Sequence, residues 1–334
     1  MLSVDVEVDR RDFPVRAALE VAPGERVALF GPSGAGKTTV LEVIAGLVAP
    51  RRGGIELNGR VLTSTTAPVV DVPAWQRRVG LLRQDPGLFP HLPVRANLLY
   101  ARSSSGAELA ALARELDIEE LLSAMPARLS GGQRHRVALG RLLLAHCDTL
   151  LLDEPFASLD AALRRSLTTL VKHLSSERSV PSVLVTHQLA DAQAFADRLV
   201  VLDRGQFLQT GAPDEVVLRP ASRRVAELVG YLGFVPAGPS ARPGAGTAAG
   251  VHPDRVVPGA DASRGFVVTG TVTAARPSGA GWEADVVAGD AAFTCRLPSR
   301  PDPGRLSVTL LDPPYFGQDG TLLAPGEHIR AGHG

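Results

Sequence analysis

The sequence predicts an α/β domain on a parallel sheet with a helical subdomain inserted in it, followed by a small C-terminal all-β barrel. Three observations predict this. Short, largely apolar runs at 26–30, within 149–155 and at 182–187 alternate with helical stretches, as buried strands of an α/β domain do. Residues 94–125 read as helices instead and interrupt that alternation, with a loop at 102–106. After the Pro/Gly/Ala-rich stretch 236–250, segments 266–274, 282–288, 291–297 and 306–311 alternate apolar and polar between turn signals such as Ser278-Gly-Ala-Gly281. At 334 residues, a large and a small domain are expected, with the boundary at 235, the linker over 236–250 and the barrel over 251–334.

The 35 basic and 35 acidic residues balance, which argues against a general nucleic-acid partner. No apolar run reaches the length of a membrane span. The first residues alternate acidic and apolar like a strand, not a signal peptide. Cys147 and Cys295 lack ligand-type spacing and are expected to be free thiols of a reducing cytosol.

Taken in order, 2–8 and 15–21 form a hairpin around the charged turn 9–12, leading through Pro23-Gly24 into the strand Arg26–Phe30. Phe13 is the aromatic of this region and either stacks on an adenine ring or packs in the core. Next comes Gly31-Pro32-Ser33-Gly34-Ala35-Gly36-Lys37-Thr38, which fits the phosphate-binding template G-x-x-x-x-G-K-[ST], with Thr39 opening a helix. Its glycines let backbone N–H groups turn inward, and the helix N-terminus adds positive field. Lys37 would reach β/γ-phosphates, and Thr38 would ligate Mg²⁺. Only Lys37 and Lys172 are lysines among the 35 basic residues, so a chain that otherwise uses Arg keeps Lys here, where a compact ammonium is needed. Asn58-Gly59 then turns a second hairpin over 54–62.

The strand Arg78–Gln84 ends in an amide that would complete a Mg²⁺ shell, hold a water, or simply end a strand. Leu129-Ser130-Gly131-Gly132-Gln133 opens a helical run; Ser130 would cap it, and the bare backbone at its positive end offers a second anion site. One nucleotide has no use for two such sites unless the second faces a partner's nucleotide. Asp153 and Glu154 emerge together at a strand end, where Asp153 fits a Mg²⁺ ligand and Glu154 a base for the attacking water. Ser158-Leu-Asp160 forms a loop, 161–177 a helix, and the strand from 182 ends at His187, placed to hydrogen-bond a γ-phosphate.

The order and spacing of the phosphate loop, Gln84, Leu129–Gln133, Asp153-Glu154, Ser158–Asp160 and His187 resemble the ATP-binding cassette family over roughly residues 1–230. The resemblance implies a P-loop ATPase with its helical subdomain at about 85–140, using ATP and Mg²⁺. It implies a head-to-tail, ATP-dependent dimer in which Ser130 and its glycines contact the γ-phosphate held by the other copy and Asp160 communicates across the interface. Two positions depart from the usual pattern: His135 stands where glutamine is common, and Arg83 precedes Gln84 where an apolar residue is usual. The tail resembles the accessory barrel of importer ATPases. Such subunits sit on the cytoplasmic face of the membrane, docked on integral-membrane permease subunits that a secreted solute-binding protein serves. Within the importers, 57–62, 77–80 and 84–98 look most like the molybdate ATPase; iron, sulfate, thiamine and polyamine importers are rivals. A soluble cassette ATPase with no permease is the alternative from another class.

Overall fold

A computed structural model of the chain describes residues 1–100, 106–157, 159–237, 247–279 and 281–323. The loop expected at 102–106, Ser158, Ala280 and most of the linker expected at 236–250 fall wholly or largely outside these. The chain divides into two compact units, Met1–Pro213 and Asp214–Gly334.

The first unit opens with β1 (Leu2–Val8) and β2 (Val15–Val21), paired antiparallel from Leu2↔Val21 to Val8↔Val15. Alternate side chains of each are buried, the period-two signature of a sheet with one wet face. β3 (Arg26–Phe30) is apolar on both faces and leads through the glycine loop into α1 (Lys37–Ala45). β4 (Arg52–Leu57) and β5 (Arg60–Ser64) form the second hairpin, with Asn58 at φ 52 and Gly59 at φ 79, the left-handed pair that a two-residue turn of this hand requires. β6 (Val70–Asp71) completes an antiparallel sheet of order β2-β1-β4-β5-β6. Helix α1 is buried almost all round because it shares one core with both sheets: Val40, Leu41, Val43 and Ile44 pack with Val4, Ile55 and Leu62 and with Leu29, Leu151 and Val183.

After β7 (Val79–Leu82) come α2 (Val94–Leu98) and α3 (Gly106–Glu115) in the stretch 94–125 expected to be helical, whose last ten residues hold only a 3-10 turn at Glu119–Leu121; α4 (Gly131–Leu144) is the separate helical run that follows Leu129. The chain then returns to strand–helix alternation with β8 (Thr149–Asp153), α5 (Ala161–Glu177), β9 (Ser182–Thr186), α6 (Leu189–Phe195), β10 (Arg198–Asp203) and β11 (Gln206–Gly211). The central sheet has the order β11-β10-β3-β9-β8-β7, parallel except for the edge strand β11. Every residue of β8 and β9 is buried, as strands covered on both faces must be.

Two glycines let α4 lie close to its neighbours. A Cβ on Gly140 would meet Leu116 Cδ1 at 2.7 Å and Leu98 Cδ2 at 2.8 Å, and one on Gly80 of β7 would meet Leu142 Cδ1 at 2.4 Å.

In the second unit, α7 (Pro213–Leu218) and α8 (Arg223–Leu228) precede β12 (Phe234–Pro236), β13 (Ala248–Gly250) and β14 (Val256–Pro258). β15 (Phe266–Ser278), β16 (Gly281–Ala288), β17 (Ala291–Leu297), β18 (Gly304–Leu310) and β19 (Tyr315–Phe316) follow. A five-stranded antiparallel sheet, β14-β18-β15-β16-β17, curls as a half-barrel over Val268, Val286, Phe293, Cys295 and Val308; β12-β13-β19 form a second, small sheet. Both cysteines are free, and burial pushes each thiol up to about 11, so both are inert at neutral pH. Among the described residues no helix is long and apolar enough to cross a membrane.

The far end of α1 depends on a buried arginine. Gly46 ends the helix at φ 77, and Arg77, 2% exposed, donates from Nη1 to the Val43 and Ile44 carbonyls at 3.2 Å each and from Nε to Val72 O at 2.6 Å. Its Nη2 meets Asp71 at 3.0 Å. Arg77→Ala removes these bonds, leaving Val43 O with Gly46 N alone and the Ile44 and Val72 carbonyls without the guanidinium, so urea unfolding should show a loss of about 2–4 kcal/mol; an unchanged midpoint would dismiss the cap.

Candidate functional site

The parallel register sets the site. Phe30 pairs with Thr186, and Asp153 with Val185, so β3, β8 and β9 end level and their following loops converge at the carboxyl edge of the sheet. The loop after β3 needs glycine for two separate reasons. Gly34 and Gly36 have φ of 80 and 107, which L side chains rarely adopt; a Cβ on Gly31 would lie 2.0 Å from Leu202 O. Ala35 O also accepts from Gly205 N at 2.8 Å, which fixes the loop against the turn after β10.

Lys37 is buried, and Nζ donates to the Gly31 and Pro32 carbonyls at 2.8 Å each, lying back over the loop's mouth. Burial pulls its pKa down, while Glu154 and then Asp153 oppose that pull. Thr38 Oγ1 donates to Asp153 Oδ2 at 3.0 Å. Burial pushes the Asp153 carboxyl up, against the bond from Thr38, and Glu154's charge pushes the same way. Two neighbouring acids thus share the field of Lys37, with Thr38 on one of them and His187 on the other. Among the described residues no cluster of three or more His, Cys, Asp or Glu side chains could hold a metal alone. The Thr38–Asp153 pair fits Mg²⁺ in particular, because that ion takes few protein ligands and fills its octahedron with phosphate and water oxygens.

Glu154 adopts φ 51, an unusual backbone for a non-glycine residue, held there as its N–H donates to Val185 O at 3.0 Å. The turn swings its carboxylate to His187, with Oε1 2.6 Å from Nδ1. His187 sits one residue past β9. The next turn is braced by Thr186 Oγ1, which accepts from Gln188 N at 3.0 Å, and by Arg164 of α5, which donates to Gln188 Oε1 at 2.6 Å and lies 3.5 Å from buried Asp191. Sequence reasoning missed Arg164, Gln188 and Asp191. Their only signal was a charged pair 27 residues apart, which nothing local distinguishes from surface charge.

Gln84 is exposed, just beyond β7. The loop after it is firmly held. Asn97, fully buried on α2, accepts from Phe89 N at 2.8 Å and donates to Phe89 O at 3.1 Å and Leu92 O at 2.8 Å. Arg141 of α4 donates to Gly87 O at 3.0 Å and Pro86 O at 3.1 Å, with its guanidinium 5.3 Å from the Phe89 ring centre. Neither clamp was read from the sequence.

Leu129–Gln133 stands apart from the phosphate loop: no hydrogen bond or ion pair joins the two among the described residues. Leu129 is buried, while Ser130 caps α4 in a reciprocal box, Oγ accepting from Gln133 N at 3.2 Å and Gln133 Oε1 accepting from Ser130 N at 2.8 Å. Gly131 and Gly132 follow in the first turn, and a Cβ on Gly131 would meet nothing within 4 Å. Asp160 caps α5, accepting from Ala162 N and Leu163 N at 3.0 Å each; these bonds hold its carboxyl below the usual range. Phe13 packs at the edge of the core, and a Cβ on Gly205 would come within 2.9 Å of its ring.

The His135 departure has a physical consequence. The ring is buried on α4 with Nε2 unpartnered, and burial lowers its pKa against the pull of Asp85. The fold thus prefers the neutral ring. Its contribution to stability is complete above the unfolded value near 6.5 and is lost as pH falls through the lower folded value. His135→Gln removes that titration, so denaturation midpoints of the two proteins should diverge from pH 7.5 to 5, the parent falling further. Parallel profiles would dismiss a buried neutral imidazole.

An ABC transporter family model matches residues 16–157. The molybdenum import ATP-binding protein ModC of Mesorhizobium japonicum is 42% identical over 241 residues, 70% of this chain and 64% of that protein. The Fe(3+) ions import ATP-binding protein FbpC of Pseudomonas fluorescens is 43% identical over 66% of this chain and 63% of its own length. The match thus spans less than two thirds of these relatives. Among solved structures, an ATP-binding subunit of an ABC transporter is 30% identical with a TM-score of 0.57, over 69% of this chain and 94% of that one. A dimeric post-hydrolysis state of the cassette MJ0796, bound to ADP and Pi, is 26% identical with a TM-score of 0.55, over 64% and 99%. The chain belongs to the ATP-binding cassette family of transporter ATPases.

Proposed function

We propose that two copies of this chain close head to tail on two Mg–ATP molecules and hydrolyse them, energising solute import through a separate integral-membrane permease. One observation carries this reading. Lys37, Thr38, Asp153, Glu154 and His187 converge at level strand ends, while the bare start of α4 is built away from them and needs a nucleotide held elsewhere.

The phosphate loop, Gly31 to Thr39, wraps the polyphosphate with backbone N–H groups, and Lys37 exchanges its two carbonyl partners for β/γ-phosphate oxygens. Thr38, Asp153 and Gln84 hold Mg²⁺, which when bound neutralises phosphate charge. Glu154 takes the proton of the attacking water at its carboxylate, and His187, braced through Gln188 and Arg164, donates to the γ-phosphate. Leu129, Ser130, Gly131, Gly132 and Gln133 of the second copy close over that phosphate, and Asp160 reports closure across the interface. Phe13 stacks on the adenine. The cassette occupies residues 1–235, with its helical subdomain at about 85–140, the linker over 236–250 and the accessory barrel over 251–334. The subunit works at the cytoplasmic face of the membrane, and a secreted solute-binding protein delivers the solute.

For the solute, we favour a molybdate-type oxyanion, which the likeness to a molybdenum import protein supports; the likeness to iron import proteins supports the main rival. A deletion strain whose uptake of molybdate is normal and whose uptake of another solute is lost would reassign the substrate.

Glu154→Gln should keep nucleotide binding and cut turnover at least about 10²-fold. In size-exclusion chromatography it should run as a dimer with Mg–ATP and as a monomer without it. Normal hydrolysis by this variant would remove Glu154 as the base. Lys37→Ala should lose nucleotide affinity in equilibrium titrations; unchanged affinity would contradict the phosphate-loop reading itself.

A further inference from the structure

The turn between β1 and β2 brings a second cation to the phosphate loop. Arg10 Nη1 donates to Thr39 Oγ1, in the first turn of α1. Thr39 is buried, 2% exposed, so the contact pins the guanidinium against the helix start from which the loop's N–H groups project. Two acids near Arg10 are engaged elsewhere. Asp9 lies 3.3 Å from Arg51, and Glu7 pairs with Arg51 and, at 3.4 Å, with Arg16. Among the described residues no carboxylate pairs with Arg10. Of its five N–H donors, Thr39 takes one. An exposed arginine held at a helix N-terminus, with its charge and most of its donors without a protein partner, matches a phosphate oxygen.

Position decides which phosphate. Lys37, Asp153 and Glu154 mark where the β/γ end lies, at the mouth of the loop and the end of β8. Thr39 follows Thr38 along α1 and is turned toward the β1–β2 turn, the side where Phe13 lies against Gly205. That is the nucleoside side. We infer that Arg10 is a nucleotide-positioning residue that donates to the α-phosphate, with Thr39 as its anchor. The turn then holds the nucleoside end by charge, and purchase on the nucleotide does not rest on an aromatic stack alone.

The inference rests on the phosphate-loop reading above, and binding titrations of ATP, ADP and adenosine separate the two. Because the α-phosphate is common to ATP and ADP, Arg10→Ala should weaken both by a similar factor, roughly tenfold, the scale of one charge-assisted hydrogen bond. The loss should shrink as salt rises. Arg10→Lys should recover most of the affinity, while Arg10→Gln, which keeps a donor for Thr39 without charge, should bind as weakly as Arg10→Ala. The thermal midpoint of nucleotide-free Arg10→Gln, which keeps a donor for the buried Thr39 hydroxyl, should match the parent, since a structural role for the charge would move it. Parental binding by Arg10→Ala, while Lys37→Ala loses affinity, would overturn the Arg10 assignment and leave the phosphate loop standing. Parental binding by both would remove the underlying site. A loss confined to ATP, or one that lysine cannot restore, would also overturn the α-phosphate contact.

Discussion

A parallel ladder has no freedom to shift by one residue, because a slip would turn every buried side chain of a doubly covered strand toward the opposite layer. β3, β9 and β8 are locked in this way, with Val27↔Val183 and Leu29↔Val185 on one side and Leu151↔Val183 on the other. Three polar features, at 31–38, 153–154 and 187, therefore end at one level. The glycine loop, the acid pair and His187 owe their meeting to that register, and the Thr38–Asp153 and Glu154–His187 contacts then join them. The charged pair Lys37 and Asp153 is then held partly dry by the same core, which is why burial leads the shift of each.

Helix α4 is the second organising element, and its role is to carry position over a distance. One end begins at the Ser130–Gln133 box; the body rests on α2 and β7 where Gly140 and Gly80 remove bulk. From its side, Arg141 holds the loop that follows Gln84, and Asn97 holds the same loop from α2. A displacement of that loop must therefore move α4 or break several buried bonds. His135, with an unpartnered ring nitrogen inside the helix packing, is a point of weakness in this unit.

The elements with strong periodicity were legible. The largely apolar strands at 149–153 and 182–186, the helix at 161–177 and the Asn58-Gly59 hairpin all stand where the pattern put them, since one local preference agrees with one tertiary demand. Much of the site was legible for the same reason: the strand-end acids and the glycine loop carry a local cost that only function offsets. Clamps were not legible. Arg77, Asn97, Arg141 and Arg164 act through main-chain carbonyls or residues far along the chain, and an arginine's reach gives no local pattern. In a chain whose basic residues are nearly all arginine, composition hides them further. The half-barrel was visible as four alternating segments, but the small sheet joining β12, β13 and β19 was not. Its strands are two or three residues long, below the length at which alternation can be read.

Glycines separate what the fold requires from what it does not. Gly31, Gly36 and Gly46 each answer to an atom of this chain, whether a carbonyl at Leu202, a methyl of Val15 or the guanidinium of Arg77. Gly131 answers to none: its backbone is helical, and a Cβ there would project into open space. Helix propensity alone would favour alanine at that position by about 1 kcal/mol. The capping box needs only Ser130 and Gln133, so it does not explain the glycine between them. The closed dimer proposed above supplies the missing reason. A phosphate of the partner copy would approach the α4 N-terminus within hydrogen-bond distance of the main chain, and a methyl group would stand in its way. The same reasoning explains why this N-terminus is left uncovered within the chain. A surface built to be completed by a second copy keeps its donors free of internal partners, and beyond the two taken by the capping box, the N–H groups of Gly131 and Gly132 do so.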